Sequence, residues 1–338
     1  MSAVTRPIGF IALASLAAAA QARLVWMFQQ DDFNRSAEAA LGVVNGLPHW
    51  RIYQSRVLGP YLVNWLTATV PGYAEAFFAF AVLALAFAGF LTLALAFRLF
   101  RDTTAALACF FIMHAMFAFL LAHPWLYAWD FGSLILFTIF VYLVMSGGGW
   151  FSFTLLFLVA VLNRESALFI ALWMIANPLL RWLIDAPGNE ETSRSDRKIF
   201  LAGAACVAAG LVIIERLRTT LLVREIAPEA FGDPSLGSDF HLRLWDNLAM
   251  IRRVFTEFVT PRFDRAMYFM VPIFIGMIVL LALALIRRNA GRFLGLALVH
   301  MALLASVLAF GLLLEARIYI EFIPFVAFGL VLLMREQA

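Results

Sequence analysis

Apolar runs of about 18 or more residues recur along the whole chain, parted by short polar links. The runs are too long and too unbroken for the alternating strands of a barrel, so each reads as a helix that satisfies its own backbone hydrogen bonds in lipid. The pattern predicts an all-α polytopic transmembrane bundle of about ten spans. Spans are expected near 7–27, 73–97, 104–121 and 131–145, then from Trp150 to a polar break at Asn163-Arg164-Glu165-Ser166. Beyond the break they resume near 167–184, 199–214 and 267–286, with a ninth ending at Leu314 and a tenth near Met334. Ala20-Gln21-Ala22 resembles a signal-peptidase site, but the first span is expected to stay as an anchor.

The polar links carry their own pattern. Residues 29–72 form the first long link, with a short helix expected over Asn34–Gly46 and a half-buried one over Val57–Val70. Residues 185–198 (DAPGNEETSRSDRK) read as an aqueous linker. In the longest link, 215–266, the residues Leu244, Leu248, Ile251, Phe255 and Phe258 keep a helical rhythm, predicting an amphipathic helix on the membrane surface. Gly147–Gly149 lacks the lysine of a phosphate-binding loop and reads as a turn. The whole of 1–338 is therefore expected to be one integral membrane domain.

Composition agrees and removes other classes. The chain is 64% hydrophobic and 14% charged, with a net charge of only +3, and no long basic run suggests nucleic acid. Cys109 and Cys206 fall inside expected spans without metal or disulfide spacing. Tryptophans 26, 125, 129, 150 and 182 lie near expected span ends, as in an interfacial belt.

Topological parity then groups the polar residues. With about ten spans, the links 29–56, 123–130, 163–166, 215–266 and 315–321 all fall on one face. Arg6, Arg98, Arg101, Arg181, Arg287, Arg288, Arg292 and Arg335 sit at short links on the other face, which predicts both termini inside and the polar face outside.

Candidate chemistry follows from these links. Adjacent carboxylates such as Asp31 and Asp32 repel each other, which suits one of them to accept a proton or both to hold a divalent cation such as Mg or Mn; a helix cap is the plain alternative. Arg164 and Glu165 interrupt an apolar run, where ionisable groups tend to face a cavity or a partner; a self-paired turn is the alternative. Glu315, Arg317 and Tyr319 alternate as if on one side of an extended segment, or as snorkelling interface residues. Arg51 and Arg56 flank Tyr53, with His49 close before them, and these arginines can hold a phosphate or contact headgroups, while Asp130 can cap a helix or join a site. His49, His123 and His241 share a face without metal spacing.

An apolar first span, then Asp31-Asp32-Phe33, an alanine-rich loop helix, Gly46 and the Tyr53–Pro60 run resemble the GT-C superfamily of multispanning glycosyltransferases that use polyprenyl-phosphate-linked sugars. The Arg164-Glu165 break and the Glu315/Arg317 link also resemble polar positions near the cavity of bacterial members. The resemblance implies a GT-C-like fold with short amphipathic helices on the outer face, in a bacterial inner membrane with the site toward the periplasm. It implies an inverting transfer, with Asp31 or Asp32 deprotonating a lipid, glycan or protein acceptor and Arg56, Arg164, Arg317 and Arg51 holding the lipid phosphate. Glu165, Glu315, Tyr319, His49 and Asp130 would orient those arginines or bind sugar hydroxyls. Against the family pattern the chain reads as short and is expected to lack a large C-terminal soluble domain. Competing readings are a glycan polymerase or ligase, a transporter or flippase of lipid-linked sugars with polar sites on both faces, and a non-catalytic assembly subunit.

Overall fold

The computed structural model describes residues 5–29, 31–48, 51–121, 126–184, 190–221, 242–259, 267–288, 290–311, 313 and 315–335. These residues form a helical bundle of α1 (Thr5–Gln29), α2 (Asp31–Val44), α3 (Leu58–Leu66), α4 (Tyr73–Phe100), α5 (Thr103–Leu120), α6 (Ala128–Ser146) and α7 (Trp150–Val161). After the break come α8 (Leu168–Ile184), α9 (Glu190–Thr220), α10 (Leu244–Val259), α11 (Met267–Arg288), α12 (Ala290–Phe310) and α13 (Ile323–Arg335). Among the described residues, eight helical stretches are long and apolar enough to cross a membrane: α1, α4, α5, α6, α9 and α12, together with α8 and α13 each taken with the 3-10 turn that leads into it, Glu165–Leu183 and Arg317–Arg335. α7 and the apolar part of α11 are shorter. The 12 residues of α7 rise roughly 18 Å, well short of a hydrocarbon core.

Two links differ from the sequence reading. Residues 190–198 are the first turns of α9 rather than linker, and Asp196 there binds Arg181 at 3.1 Å, which joins the α8 and α9 ends. α9 also runs on to Thr220, past the expected limit near Ile214. α2 starts at Asp31, so the acidic pair sits in the first turn of a helix, where the positive end of the helix dipole favours it.

α13 is the core of the bundle. It packs against α5, α6 and α11, and Phe325 and Phe328 along it are fully buried. α1 and α5 pack on α4, with Gln21 and His114 clasped across the α1–α5 contact: Gln21 Nε2 donates to the His114 carbonyl, and its Oε1 meets His114 Nδ1, both at 2.7 Å. On the other flank, α8 and α9 pack together, and α12 lies against α8 and α11. α2 and α3 lie against α4 at one end of the bundle. α10 is joined to the end of α12 through Asn247, whose Nδ2 donates to the carbonyls of Leu308 and Gly311, both at 2.8 Å. At the opposite end from α2 and α3, Arg335 donates to the Phe100 carbonyl at 2.6 Å, beside Arg98 and Arg101 at the end of α4.

Candidate functional site

Five chain segments converge at one end of the bundle because each is a helix terminus there. They are the stretch entering α3, the start of α6, the α7–α8 break, the last turn of α9 and the 3-10 helix Ala316–Phe322 before α13. Two close approaches hold them. A side chain on Gly59 would place its Cβ 2.7 Å from the Ala128 backbone, so only glycine lets α3 meet the start of α6 this closely. Gly132 faces Asn163 in the same way, with Oδ1 at 2.2 Å from a hypothetical Cβ. Asn163 then donates from Nδ2 to the Trp129 carbonyl at 2.8 Å and to Ser133 Oγ at 3.2 Å, which ties the break to α6.

The break itself sends its two charged side chains in different directions. Arg164 is extended, and the backbone turns into a short 3-10 segment, Glu165–Ala167, before α8 begins. Arg164 and Glu165 therefore do not pair with each other. Glu165 accepts from Ser55 Oγ at 2.6 Å, meets Arg56 at 3.2 Å, and meets Arg218 of α9 at 3.0 Å. Arg164 reaches across to Asp130 at 3.4 Å and Glu321 at 3.6 Å, both through Nη1.

Asp130 caps α6 and also takes part in the ionic network. Its Oδ2 accepts from the Tyr127 N–H at 2.9 Å, closing the first turn of α6, while the carboxylate faces Arg164 and also Arg317 at 3.7 Å. Arg317 forks onto Glu315, with Nε at 2.8 Å and Nη2 at 2.7 Å from the same oxygen. An aromatic cluster lies between the two sides of this network. Tyr127 stacks on Trp129 at 4.7 Å, Tyr53 packs on both rings, Arg56 lies 4.8 Å over Tyr53, and Arg317 lies 4.6 Å over Tyr127. Such cation–ring contacts help to hold a desolvated guanidinium. Burial pushes the Arg56 pKa down, and the Glu165 carboxylate pushes it back up. Burial raises the Tyr127 phenol above its usual range.

The segment 315–322 is not extended. In the 3-10 helix, residues three apart share a face. Ile318 and Glu321 thus share one side and line the cavity described below, while Arg317 turns to Glu315 and Asp130. Tyr319 is fully buried instead of facing a site: its hydroxyl donates to the Leu313 carbonyl at 3.0 Å and its ring packs on Phe274 and Phe322. The alternation that suggested one shared side for Glu315, Arg317 and Tyr319 is corrected by this three-residue turn.

Between α8, α9 and α12 lies a cavity of about 570 Å³. Its walls are apolar, from residues such as Phe169, Leu172, Val207, Leu303 and Val307, and its polar end presents Arg56, Arg164, Glu165, Ser166 and Glu321. Glu321 is nearly buried; its Oε1 accepts from Ser166 at 2.5 Å and Ser133 at 3.1 Å. Chemically, the cavity can take an amphiphile with an anionic head at the arginine end and an apolar tail along the wall.

The other sequence candidates lie elsewhere. Asp32 pairs with Arg35 one helical turn on, at 3.1 Å, and no described contact joins it to the cavity. The side chains of Asp31 and Arg51, and the whole of His49, lie outside the described residues, as do His123 and His241. Among the described residues no group of three His, Cys, Asp or Glu side chains has the geometry of a metal site, and the described carboxylates at the cavity are engaged by arginine or serine. Sequence reasoning missed Arg218, Glu321, Ser55 and Ser133. Arg218 was legible in principle: continuing the α9 helix places it four residues after Ile214, on the same face.

Comparison with protein-family models, curated proteins and solved structures finds no match.

Proposed function

We propose that the chain is a membrane glycosyltransferase of the GT-C kind. It transfers a sugar from a polyprenyl-phosphate-linked donor to a lipid, glycan or protein acceptor by inverting displacement. The observation that carries this reading is the cavity, which combines apolar walls with a charged end containing Arg56 and Arg164. A prenyl chain needs such a wall, and a phosphodiester needs charge-assisted donors at its end. Arg164 is the arginine we assign to the phosphate. Its described contacts are 3.4 and 3.6 Å, whereas Arg317 sits 2.7 Å from Glu315. Arg56, held by Glu165, lines the same end and adds a second donor for the departing lipid phosphate, while Arg317 stands behind the cavity on Glu315 and Asp130.

We place the site on the non-cytoplasmic face of a bacterial inner membrane, with both termini inside. Arg98, Arg101 and Arg335, gathered at the end of the bundle away from the cavity, support that orientation. The one-sided position of the ionic network favours an enzyme over a flippase, which needs polar sites reached from both leaflets. A polymerase or ligase of glycans shares the same donor chemistry and differs in acceptor.

The test uses the full-length protein in detergent, with farnesyl phosphate as the probe. Farnesyl phosphate is expected to raise the unfolding temperature, farnesol and inorganic phosphate alone are not, and Arg164→Ala is expected to abolish the shift. Equal stabilisation by farnesol, or none by farnesyl phosphate, refutes the lipid-phosphate reading.

A further inference from the structure

The transferase reading leaves the proton acceptor to be placed, and the inference that follows rests on that reading. The carboxylates at the cavity differ in how their oxygens are used. Both oxygens of Glu165 are engaged, Oε1 by Ser55 and Arg218 and Oε2 by Arg56. Asp130 does not line the cavity; its Oδ1 faces Arg164 and its Oδ2 is taken by the Tyr127 N–H. Glu321 is asymmetric. Ser166, Ser133 and Arg164 all approach Oε1, and no described donor approaches Oε2. Glu321 is buried but lines the cavity, and with Oε1 taken by the serines its Oε2 is the oxygen left for a further donor.

We infer that Glu321 is the catalytic base, with Oε1 fixed by two serines and Oε2 turned toward the acceptor hydroxyl. A carboxylate held by one oxygen keeps its rotamer while the other stays open to a new donor, which is the geometry a general base needs. The neighbour relation supports the assignment. Arg164 Nη1 lies 3.6 Å from Glu321 Oε1, so a phosphate on Arg164 and a hydroxyl on Glu321 Oε2 meet at the same end of the cavity. Approaching reactants held in this way gain from proximity.

The step balances without a further reactant. The acceptor O–H bond breaks and its proton passes to Glu321 Oε2. The freed oxygen pair attacks the anomeric carbon, and the bond from that carbon to the phosphate oxygen breaks. The electron pair leaves with the lipid phosphate, whose charge Arg164 meets, and the proton on Glu321 is returned to solvent before the next turnover.

The test compares full-length wild type, Glu321→Gln and Asp32→Asn in detergent. Release of lipid phosphate is measured from a panel of decaprenyl-phosphate-linked hexoses and pentoses with membrane extract as acceptor source, alongside stabilisation by farnesyl phosphate. Glu321→Gln keeps an acceptor oxygen for Ser166 and Ser133, so it is expected to keep farnesyl phosphate stabilisation and to lose turnover by about 10²–10⁴-fold. Asp32→Asn tests the base that the resemblance implies: no described contact joins Asp32 to the cavity, so its loss is expected to be much smaller than that of Glu321→Gln, and an equal or larger loss overturns the assignment. Turnover by Glu321→Gln near the wild-type rate overturns the assignment. Loss of both stabilisation and turnover in Glu321→Gln also overturns it, because Glu321 would then be positioning Arg164. If Glu321→Gln does not fold, Glu321→Asp decides: a carboxylate drawn back by one methylene is expected to lower kcat at least about tenfold with KM for the donor little changed, and an unchanged kcat overturns the base role. Wild-type protein that binds farnesyl phosphate but releases no lipid phosphate from any donor refutes the transferase reading itself.

Discussion

Glu165 is the joint of the ionic network, and replacing it tests whether that network is part of the fold or an incidental surface pair. It bridges Arg56 and Arg218, whose side chains are 7% and 10% exposed, at 3.2 and 3.0 Å. At that separation and an effective dielectric of about 20, each pair attracts by roughly 5 kcal/mol. Desolvation offsets much of that attraction, so the measurable quantity is the cost of leaving a buried cation without its partner, about 3–5 kcal/mol. Glu165 is itself 22% exposed, and Arg56 keeps its ring contacts with Tyr53 and Trp129. The lower end therefore applies, and Glu165→Ala is expected to cost about 3 kcal/mol. Glu165→Gln keeps an acceptor for Ser55 and removes only the charge, so its cost should be smaller. The assay is thermal unfolding in detergent followed by tryptophan fluorescence, with Arg218→Met and the Glu165→Gln/Arg218→Met pair completing a double-mutant cycle. The double variant still leaves Arg56 without its carboxylate but no longer leaves Arg218 unpaired, so its loss should be smaller than the sum of the two single losses. Additive losses, or Glu165→Ala unfolding with wild type, would refute a buried and coupled network.

Three further outcomes follow from the packing. Gly132→Ala should displace Asn163 and lower both thermal stability and donor turnover, because the new methyl would lie 2.2 Å from Asn163 Oδ1; wild-type behaviour would mean the α6–α7 contact is looser than described. Asn247→Ala should free α10 from the end of α12 at a cost of roughly 1–3 kcal/mol, since it leaves the Leu308 and Gly311 carbonyls without their donor. Faster trypsin cleavage near Arg252 and Arg253 would report it, and unchanged cleavage would count against the clip. Val207→Trp should fill the cavity from the α9 wall and remove stabilisation by farnesyl phosphate while leaving the unfolding temperature of the free protein nearly unchanged; retained stabilisation would place the lipid elsewhere.

How much of this was legible in the sequence depends on which physical signal carried it. Hydropathy located the apolar helices, because a backbone in lipid has few alternatives to a helix. It could not distinguish a full crossing from the 12 residues of α7, since both are equally apolar. Parity put 29–56, 123–130, 163–166, 215–266 and 315–321 on one face, and Arg56, Asp130, Arg164, Glu165, Arg218, Glu315, Arg317 and Glu321 from those links do meet, whereas among the described residues Asp32 pairs only with Arg35. Pairing was beyond it. The sequence left open whether Arg164 and Glu165 face a cavity or pair with each other, and the extended backbone at Arg164 sends them to different partners. The alternation in 315–321 suggested a strand-like period, whereas the chain adopts a three-residue one, and that change moved Glu321 to the cavity and Tyr319 into the core. Arg218 was hidden by a helix boundary set some residues too early.

The charge balance of the site bears on how an anion could enter it. Among the described residues, Arg56, Arg164, Arg218 and Arg317 face Asp130, Glu165, Glu315 and Glu321, so four positive groups meet four acidic ones. With those carboxylates ionised, the cluster holds no surplus cation for a phosphate to claim, and binding must loosen a pair that already exists. The cost of doing so rises with the quality of the pair. Arg317 sits 2.7 Å from Glu315, and Arg56 and Arg218 share Glu165 at 3.2 and 3.0 Å. Arg164 is held only at 3.4 and 3.6 Å and lines the cavity, so it is the arginine that can turn to a phosphate at the least expense of existing bonds. A phosphate drawing Arg164 away from Glu321 leaves that carboxylate to the two serines and the incoming hydroxyl. Donor binding would therefore take the cation off Glu321 Oε1 while the serines keep the carboxylate in place, which couples the order of binding to the chemistry.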